Sequence, residues 1–191
     1  MMAGQVDGRS RAFLMFHEDQ RQNLAVIDYL VSRGQGELDN LAVKKLLARL
    51  RDTLTRAGVQ NVVFEVALPV KGSQSYERDR ARIRLFEKSG GRVIPGLEYL
   101  APSMDGAFDP AGEEPSLLMV GSPGASPDSI TWPTVRMFVS YLYGTWYRNW
   151  FSHRHAGRLD AMDKYLIGLR DRVLARVPTS GKVPLTSNQR S

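Results

Sequence analysis

The sequence predicts a mixed α/β fold of the α+β type, in which a sheet is flanked by helices and followed by a helical hairpin. Two observations predict it. Up to about residue 120, short apolar runs rich in β-branched residues alternate with segments whose apolar residues recur at helical spacing. After residue 129 only the helical spacing remains. The Gly-, Pro- and Ser-rich segment 121–129 separates the two regions and is the best internal boundary.

The first predicted elements are two strands, residues 11–17 and 24–31, joined by a polar turn-like connection. A polar, glycine-containing stretch then leads to a helix, for which Asp39 or Asn40 is a candidate cap and which ends at Gly58. One apolar face of this helix is formed by Val43, Leu46, Leu47, Leu50, Leu54 and Ala57. A strand rich in β-branched residues, 61–68, follows it.

A second, highly charged helix is predicted from a Ser75 cap to about Glu87. The pair Gly90-Gly91 ends this helix, because glycine adopts left-handed backbone angles without a Cβ clash. Residues 92–101, with a kink at Pro95-Gly96, and residues 116–120 complete the predicted strands.

The last part of the chain is predicted to form a helical hairpin joined near residues 152–157. Its two apolar stripes are Val135, Phe138, Val139, Leu142, Trp146 and Trp150, and Leu159, Met162, Leu166, Leu169, Val173 and Val177. Stripes of this size exceed the exposed apolar patch of an ordinary monomer. We therefore expect the hairpin, residues 129–177, to cover the core, residues 1–128, within the same chain, with homodimerisation as the alternative. The polar tail, residues 178–191, is expected to be disordered.

The composition is that of a globular protein, with 42% apolar and 24% charged residues. No apolar run approaches the ~20 residues of a membrane-spanning helix, and the N-terminus lacks the apolar stretch of a secretory signal. The chain has no cysteine, which excludes disulfides, thiolate metal sites and a cysteine nucleophile. These features lead us to expect a cytoplasmic protein, monomeric or homodimeric, with no membrane partner.

The chain carries a net charge of +6, which is compatible with a phosphate-bearing partner. Its arginines are dispersed, and Arg78, Arg80, Arg82 and Arg84 alternate with other residues, a spacing that is expected to spread them around a helix instead of forming one stripe. Nucleic acid is therefore an unlikely partner. No metal site is expected either, because His153 and His155 point apart on a helix and no third ligand accompanies them.

Two segments resemble motifs of the GNAT superfamily, the acyl-CoA-dependent N-acyltransferases. YLVSRGQGE, residues 29–37, stands at the loop between a central strand and a helix, and RLFEKSGG, residues 84–91, stands at the end of the second helix. The resemblance implies a mostly antiparallel central sheet over residues 11–121. It also implies acetyl-CoA or another acyl-CoA as cosubstrate, no metal, and transfer of the acyl group to a primary amine of a small molecule or peptide.

The resemblance assigns the cofactor site to Leu30, Val31, Arg33, Gly34, Gln35, Gly36 and Phe86. The pyrophosphate of acyl-CoA would lie at a helix N-terminus, which offers unpaired N–H groups and a partial positive charge. Gly34 and Gly36 would let the backbone approach the phosphate oxygens, and Arg33 would add a charge-assisted donor. The pantetheine arm would run beside the strand that ends at Leu30 and Val31, where this strand splays from its neighbour.

Asp28 and Glu65 are acidic residues inside otherwise apolar strands, and each is a candidate general base. A buried carboxylate tends to have a raised pKa, which suits proton transfer from an amine, although alternation can also place either residue on a solvated face. The chain departs from the family pattern at Leu38, where a glycine is common, and at Phe86, which replaces a tyrosine that commonly protonates the CoA thiolate. These departures support a second hypothesis, a non-catalytic GNAT-like binding or assembly module.

Overall fold

The computed structural model describes residues 1–6, 8–34, 36–124 and 127–186. The strands are β1 (Met2–Val6), β2 (Arg9–Asp19), β3 (Leu24–Ser32), β4 (Asn61–Ala67), β5 (Arg92–Val93), β6 (Tyr99–Ala101), β7 (Glu114–Gly121), β8 (Ser129–Thr131) and β9 (Lys182–Pro184). The α-helices are α1 (Glu37–Arg56), α2 (Tyr76–Lys88), α3 (Trp132–Tyr141), α4 (Arg148–Ser152) and α5 (Leu159–Leu174). A π-helical turn, Leu142–Tyr147, joins α3 to α4, and short 3₁₀ turns lie at Pro110–Gly112 and Ala156–Arg158.

The main sheet has seven strands in the order β1-β2-β3-β4-β7-β5, and β6 also pairs with β7. All of its strand pairs are antiparallel except β3 with β4, which run parallel. Strands β8 and β9 form a separate antiparallel pair. The predicted fold class, a mainly antiparallel sheet flanked by helices with a C-terminal helical hairpin, is confirmed.

Helices cover both faces of the sheet because side chains alternate along its strands. In β4, Val62, Phe64 and Val66 pack in one apolar cluster with α1 and α2. Val63 of the same strand belongs to a second cluster, formed with α3, the π-helical turn, α4 and α5. The apolar run in β4 is therefore explained by burial of the strand on both faces.

The C-terminal helices lie on the sheet of their own chain. Phe138 of α3 and Leu169 of α5 are fully buried and share a cluster with Val26 of β3 and Leu118 of β7. Burial of each such side chain contributes about 1.5–3 kcal/mol, which strongly favours docking over exposure. The division of the chain into residues 1–128 and 129–177 stays a prediction.

Three short strands, β1, β8 and β9, were not predicted from the sequence. β1 adds an antiparallel edge next to β2, and β9 pairs with β8. Val183 of β9 is buried, and Thr186 exchanges two backbone hydrogen bonds with Val93. The expected disorder of residues 178–191 is therefore wrong for 182–186, while residues 187–191 lie outside the described part of the chain. None of the helices in the described ranges is long and apolar enough to cross a membrane.

The double glycine after α2 forms a Schellman C-cap and ends the helix, as predicted from the sequence. Gly90 has a φ of 93°, and its N–H donates to the carbonyl of Glu87. The N–H of Gly91 donates to the carbonyl of Phe86 at 2.8 Å. A Cβ added at Gly91 would lie 3.0 Å from that same carbonyl oxygen, a tight contact that favours glycine at this position. The pair stops the helix and turns the chain back into β5.

Candidate functional site

The two parallel strands diverge in the middle of the sheet. Their pairing joins Leu24–Ile27 of β3 to Asn61–Phe64 of β4 and ends there. β3 nevertheless continues to Ser32 along β2, and β4 continues to Ala67 along β7. Beyond the last parallel pair, the facing edges of these described strands are therefore open to hydrogen bonds from a ligand.

A β-bulge lies at the point of divergence. Ile27 and Tyr29 pair with consecutive residues of β2, so that Asp28 between them is an extra residue. Bulges re-aim side chains and are frequent next to active sites. Here the bulge leaves both Ile27 and Leu30 packed with the α1–α2 cluster, while Asp28 hydrogen-bonds Trp146 of the C-terminal helices.

Both predicted general bases, Asp28 and Glu65, directly follow the last parallel pair and are partly buried. Trp146 donates its indole N–H to Asp28 Oδ1 at 2.5 Å. Tyr147 and Tyr99 donate their hydroxyls to Glu65 Oε2 at 2.5 Å and 2.8 Å. Adjacent residues of the π-helical turn thus contact the two carboxylates, one each.

Stacked tyrosines fix the hydroxyls that reach Glu65. Tyr143 stacks on Tyr99 at a centroid distance of 5.6 Å and on Tyr147 at 5.9 Å. The hydroxyl of Tyr143 donates to the Leu100 carbonyl at 2.5 Å. All of these rings are buried. Because π-helical turns often occur at functional sites, this turn marks the carboxylate-bearing face of the sheet as a site of interest.

Burial raises the pKa of Glu65 above its ordinary 4.5, and the hydrogen bonds from Tyr147 and Tyr99 oppose this rise. Burial likewise raises the pKa of Asp28 from 3.8, against the hydrogen bond from Trp146. The pKa of Tyr147 lies well above 10 for the same reason, so its hydroxyl keeps its proton and donates. Carboxylates with raised pKa values are suited to accept a proton near neutral pH.

A groove of about 590 Å³ lies between the end of β3 and the helices α1 and α2. It is lined by Leu30, Val31, Ser32 and Gly34 at the end of β3, by Asn40, Val43 and Lys44 of α1, and by Arg78, Ala81, Arg82, Arg84, Leu85 and Lys88 of α2. These residues include five basic side chains and no acidic one, and the volume suits a cofactor-sized ligand. Three predicted cofactor residues, Leu30, Val31 and Gly34, therefore lie together in a strongly basic groove.

Four basic side chains of α2 border this groove. Arg78 and Arg82 are four residues apart, as are Arg84 and Lys88, so each pair shares a face of the helix. Lys44 reaches the same groove from α1. Arg80 lies over the Tyr76 ring, 5.4 Å from its centroid, and is not among the residues that line the groove, so the arginines of α2 do not form a single stripe. Arg78, Arg82 and Arg84 nevertheless all border the groove.

The predicted loop contacts of the cofactor differ in their placement. Arg33 is exposed, and its N–H donates to the Arg11 carbonyl at 2.7 Å, which extends the β2–β3 ladder. Gly36 is the N-cap residue of α1, in place of the expected Asp39 or Asn40. Gln35 lies outside the described residues.

The remaining predicted contact, Phe86, is buried in the core. Its ring packs against Phe64 of β4 at a centroid distance of 4.5 Å. The preceding residue, Leu85, lines the groove. A cofactor in the groove would therefore meet Leu85, and Phe86 supports the sheet from beneath.

The acidic side chain of Asp39 packs against the loop before α1. Asp39 is only 8% exposed and forms an ion pair of 3.3 Å with Arg11. A Cβ added at Gly34 would lie 2.9 Å from Asp39 Oδ2, and one added at Gly36 would lie 3.5 Å from it. The space beside Gly34 and Gly36, which was expected to admit a phosphate, is thus taken by the Asp39 carboxylate.

The roles of several residues of this site were not identified from the sequence. In the sequence, Trp146 and Tyr147 belong to an aromatic cluster that favours core packing over a binding surface, and Lys44 was not singled out. No local signal identifies them, because their partners lie far away in the chain. Among the described residues, no group of three or more His, Asp or Glu side chains is arranged to hold a metal ion.

Three of the solved structures that are similar to this chain have acetyltransferase in their titles. One is the ribosomal-protein-S18-alanine N-acetyltransferase of Escherichia coli, at 18% identity and a TM-score of 0.42, covering 65% of this chain and 68% of that chain. Another is the aminoglycoside 6′-N-acetyltransferase of Enterococcus faecium, at 13% identity and a TM-score of 0.45, covering 66% and 73%. A third is a Bacillus subtilis acetyltransferase in complex with CoA, at 9% identity and a TM-score of 0.43, covering 63% and 74%.

No protein-family profile matches the chain, and no curated protein sequence matches it.

Proposed function

We propose that this chain binds an acyl-CoA in the basic groove and transfers the acyl group to a primary amine. The observation that carries the proposal is the divergence of β3 from β4 beside a groove with five basic side chains. CoA combines an extended pantetheine arm, which carries amide groups, with several phosphates. The open strand edges offer hydrogen-bond partners to those amides, and the basic side chains offer charge to the phosphates.

The proposed reaction uses the carboxylates at the divergence point. Asp28 or Glu65 accepts a proton from the ammonium group of the substrate, and the free amine attacks the thioester carbonyl carbon. The new C–N bond forms, the C–S bond breaks, and the CoA thiolate takes up a proton. Backbone N–H groups of β3 near Leu30 and Val31 polarise the carbonyl while negative charge develops on its oxygen.

The acceptor is proposed as a primary amine of a small molecule or peptide. The titles of two similar structures name an aminoglycoside and the alanine of a ribosomal protein. A first panel of acceptors therefore contains an aminoglycoside, a peptide with N-terminal alanine and a polyamine, each offered with acetyl-CoA.

The test measures release of free CoA with a thiol reagent, which reacts with no side chain of this chain because it contains no cysteine. We expect amine-dependent release by the wild-type protein. We expect loss of about 10²- to 10⁴-fold in the rate for whichever of Asp28→Asn and Glu65→Gln removes the base. Unchanged rates in both variants would reject the assignment of the base, and absence of release with every acceptor, despite CoA binding, would favour the second function below.

The second candidate function is a non-catalytic module that binds CoA or a partner protein. It is favoured by the engagement of Glu65 Oε2 with two tyrosine hydroxyls, and by the burial of Phe86, which has no hydroxyl to donate. This function predicts CoA binding of equal affinity in the wild type and in Glu65→Gln, with no thiol release from acetyl-CoA.

A further inference from the structure

We infer that the phosphates of the ligand bind to side chains of α1 and α2 in the groove, and that the loop before α1 is closed to them by Asp39. The inference rests on the proposed function, since it names the residues that bind the charged part of CoA. It departs from the sequence-based expectation, which placed the phosphates on the glycine loop at residues 33–36.

The carboxylate of Asp39, a residue of α1, already lies against the loop that precedes this helix. Asp39 lies in the first turn of α1, where the helix dipole stabilises a negative charge. One carboxylate oxygen pairs with Arg11 at 3.3 Å, and the other lies against Gly34, within 2.9 Å of the position of an added Cβ. A phosphate oxygen brought to the same backbone would meet a buried like charge, which disfavours its binding.

The groove offers five basic side chains, whereas the loop offers only Arg33 among its described residues. Arg82 and Lys44 line it from two different helices, so a phosphate between them can receive donors from both sides. Two other lining arginines already have acidic neighbours: Arg78 pairs with Asp79 at 3.4 Å, and Arg84 approaches Glu77 at 4.0 Å. Of the five basic lining residues, Arg82, Lys44 and Lys88 are therefore assigned as the principal phosphate contacts.

This placement of the phosphates also fits the extended shape of CoA. Leu30, Val31 and Leu85 provide apolar wall where the groove reaches the diverging strands. The charged residues of α1 and α2 lie along the remainder of the groove. An extended molecule with an apolar-and-amide arm and a polyphosphate end matches this division, with the arm at β3 and the phosphates on the helices.

The experiment is isothermal titration of the full chain with CoA and, separately, with adenosine 3′,5′-bisphosphate, which carries phosphates but no pantetheine arm. The test variants are Arg82→Gln and Lys44→Gln. The matched control is Lys45→Gln, an exposed neighbour on the same helix, and Arg33→Gln tests the glycine loop. Circular dichroism confirms that each variant is folded.

We expect Arg82→Gln and Lys44→Gln to weaken both ligands by about tenfold, as for a lost charge-assisted hydrogen bond. Lys45→Gln and Arg33→Gln should stay within about twofold of the wild type. A loss in Arg33→Gln as large as that in Arg82→Gln, or no loss in Arg82→Gln and Lys44→Gln while the wild type binds CoA, would overturn this inference alone. A wild-type chain that binds neither ligand would reject the proposed function together with it.

Discussion

The hydroxyl of Tyr147 donates a hydrogen bond of 2.5 Å to Glu65, across 82 residues of sequence. The donor lies on the π-helical turn of the C-terminal helices, and the acceptor lies where β4 leaves its parallel partner. Tyr99 donates to the same oxygen from β6. The C-terminal helices therefore contribute to the site directly, by orienting a carboxylate in the centre of the sheet.

Replacing Tyr147 by Phe should change both the stability of the chain and the pH dependence of the reaction rate. Loss of a buried hydrogen bond to a charged group costs about 1.5–3 kcal/mol of unfolding free energy. Because this hydrogen bond lowers the pKa of Glu65 against the effect of burial, its loss should raise that pKa further. The acidic limb of the rate profile should then move to higher pH if Glu65 is the base, as measured by thiol release over a pH series.

The matched control is Tyr143→Phe, which removes an equally buried hydroxyl that donates to the Leu100 carbonyl. This variant should also lose stability in urea unfolding, but its pH profile should follow that of the wild type. Equal movement of the acidic limb in both variants would contradict a specific role for the bond between Tyr147 and Glu65.

The raised pKa of Glu65 predicts a definite dependence of stability on pH. Between the ordinary carboxyl pKa of 4.5 and the higher folded-state value, the folded chain binds more protons than the unfolded chain. The contribution of this group to stability is therefore fully present below pH 4.5 and is lost as the pH rises through the folded-state pKa. Glu65→Gln, which cannot ionise, should remove this part of the dependence.

The measurement is urea unfolding of the wild type and Glu65→Gln at several pH values from 4 upward. The difference in unfolding free energy, wild type minus variant, should decrease with rising pH. A difference that stays constant or increases would show that the folded-state pKa of Glu65 is not raised. Asp28→Asn provides a parallel comparison, since burial raises the pKa of Asp28 in the same direction.

The packing of the C-terminal helices predicts a large effect at Phe138, which is fully buried on the sheet. Phe138→Ala should cost about 3–5 kcal/mol, through lost transfer free energy and a cavity. Ile167→Ala removes an apolar side chain of α5 that is 49% exposed and should have a far smaller effect. Thermal unfolding of the two variants beside the wild type checks the contrast.

A chain ending at Asp128 extends this test to the whole hairpin. It would expose the sheet face that Leu24, Val26, Leu118 and Val120 share with α3 and α5. We expect it to aggregate or to unfold at a much lower temperature. A soluble, monomeric fragment as heat-stable as the complete chain would show that the helices are an independent appendage.

The C-cap of α2 predicts that replacing Gly91 by Ala destabilises the chain more than the same replacement at Gly157. A Cβ at Gly91 would lie 3.0 Å from the Phe86 carbonyl oxygen, so Gly91→Ala should cost about 1–3 kcal/mol through local displacement. At Gly157 an added Cβ meets no atom within 4 Å, and Gly157→Ala should be close to neutral. Equal midpoints of urea unfolding for the two variants would contradict the close contact.

The order of the main elements could be read from periodicity. The apolar face from Val43 to Leu54 and the β-branched run at residues 61–67 correspond to α1 and β4. The strands β2 and β3 and the glycine stop after α2 were also predicted. These features are local, since a spacing of 3.6 or 2 residues, or a helix end that needs a positive φ, is decided within a few positions.

The features that were missed are products of tertiary contact. Trp146 meets Asp28 across 118 residues, and Tyr99 meets Glu65 across 34 residues. The short strand β9 reads as a polar tail, yet it forms because β8 offers an edge on which Val183 can be buried. The convergence of Lys44 with the arginines of α2 likewise depends on how two helices pack, which the periodicity of either one does not encode.

The central claim, that CoA binds between the diverging strands and in the basic groove, is tested most directly by titrating the isotopically labelled 191-residue chain with CoA and following backbone amide NMR signals. The account predicts that the largest shifts fall on residues 28–32 of β3, on residues 65–67 of β4 and on the groove side of α1 and α2. Shifts confined to β1 or α5, or unchanged spectra at millimolar CoA, would contradict it.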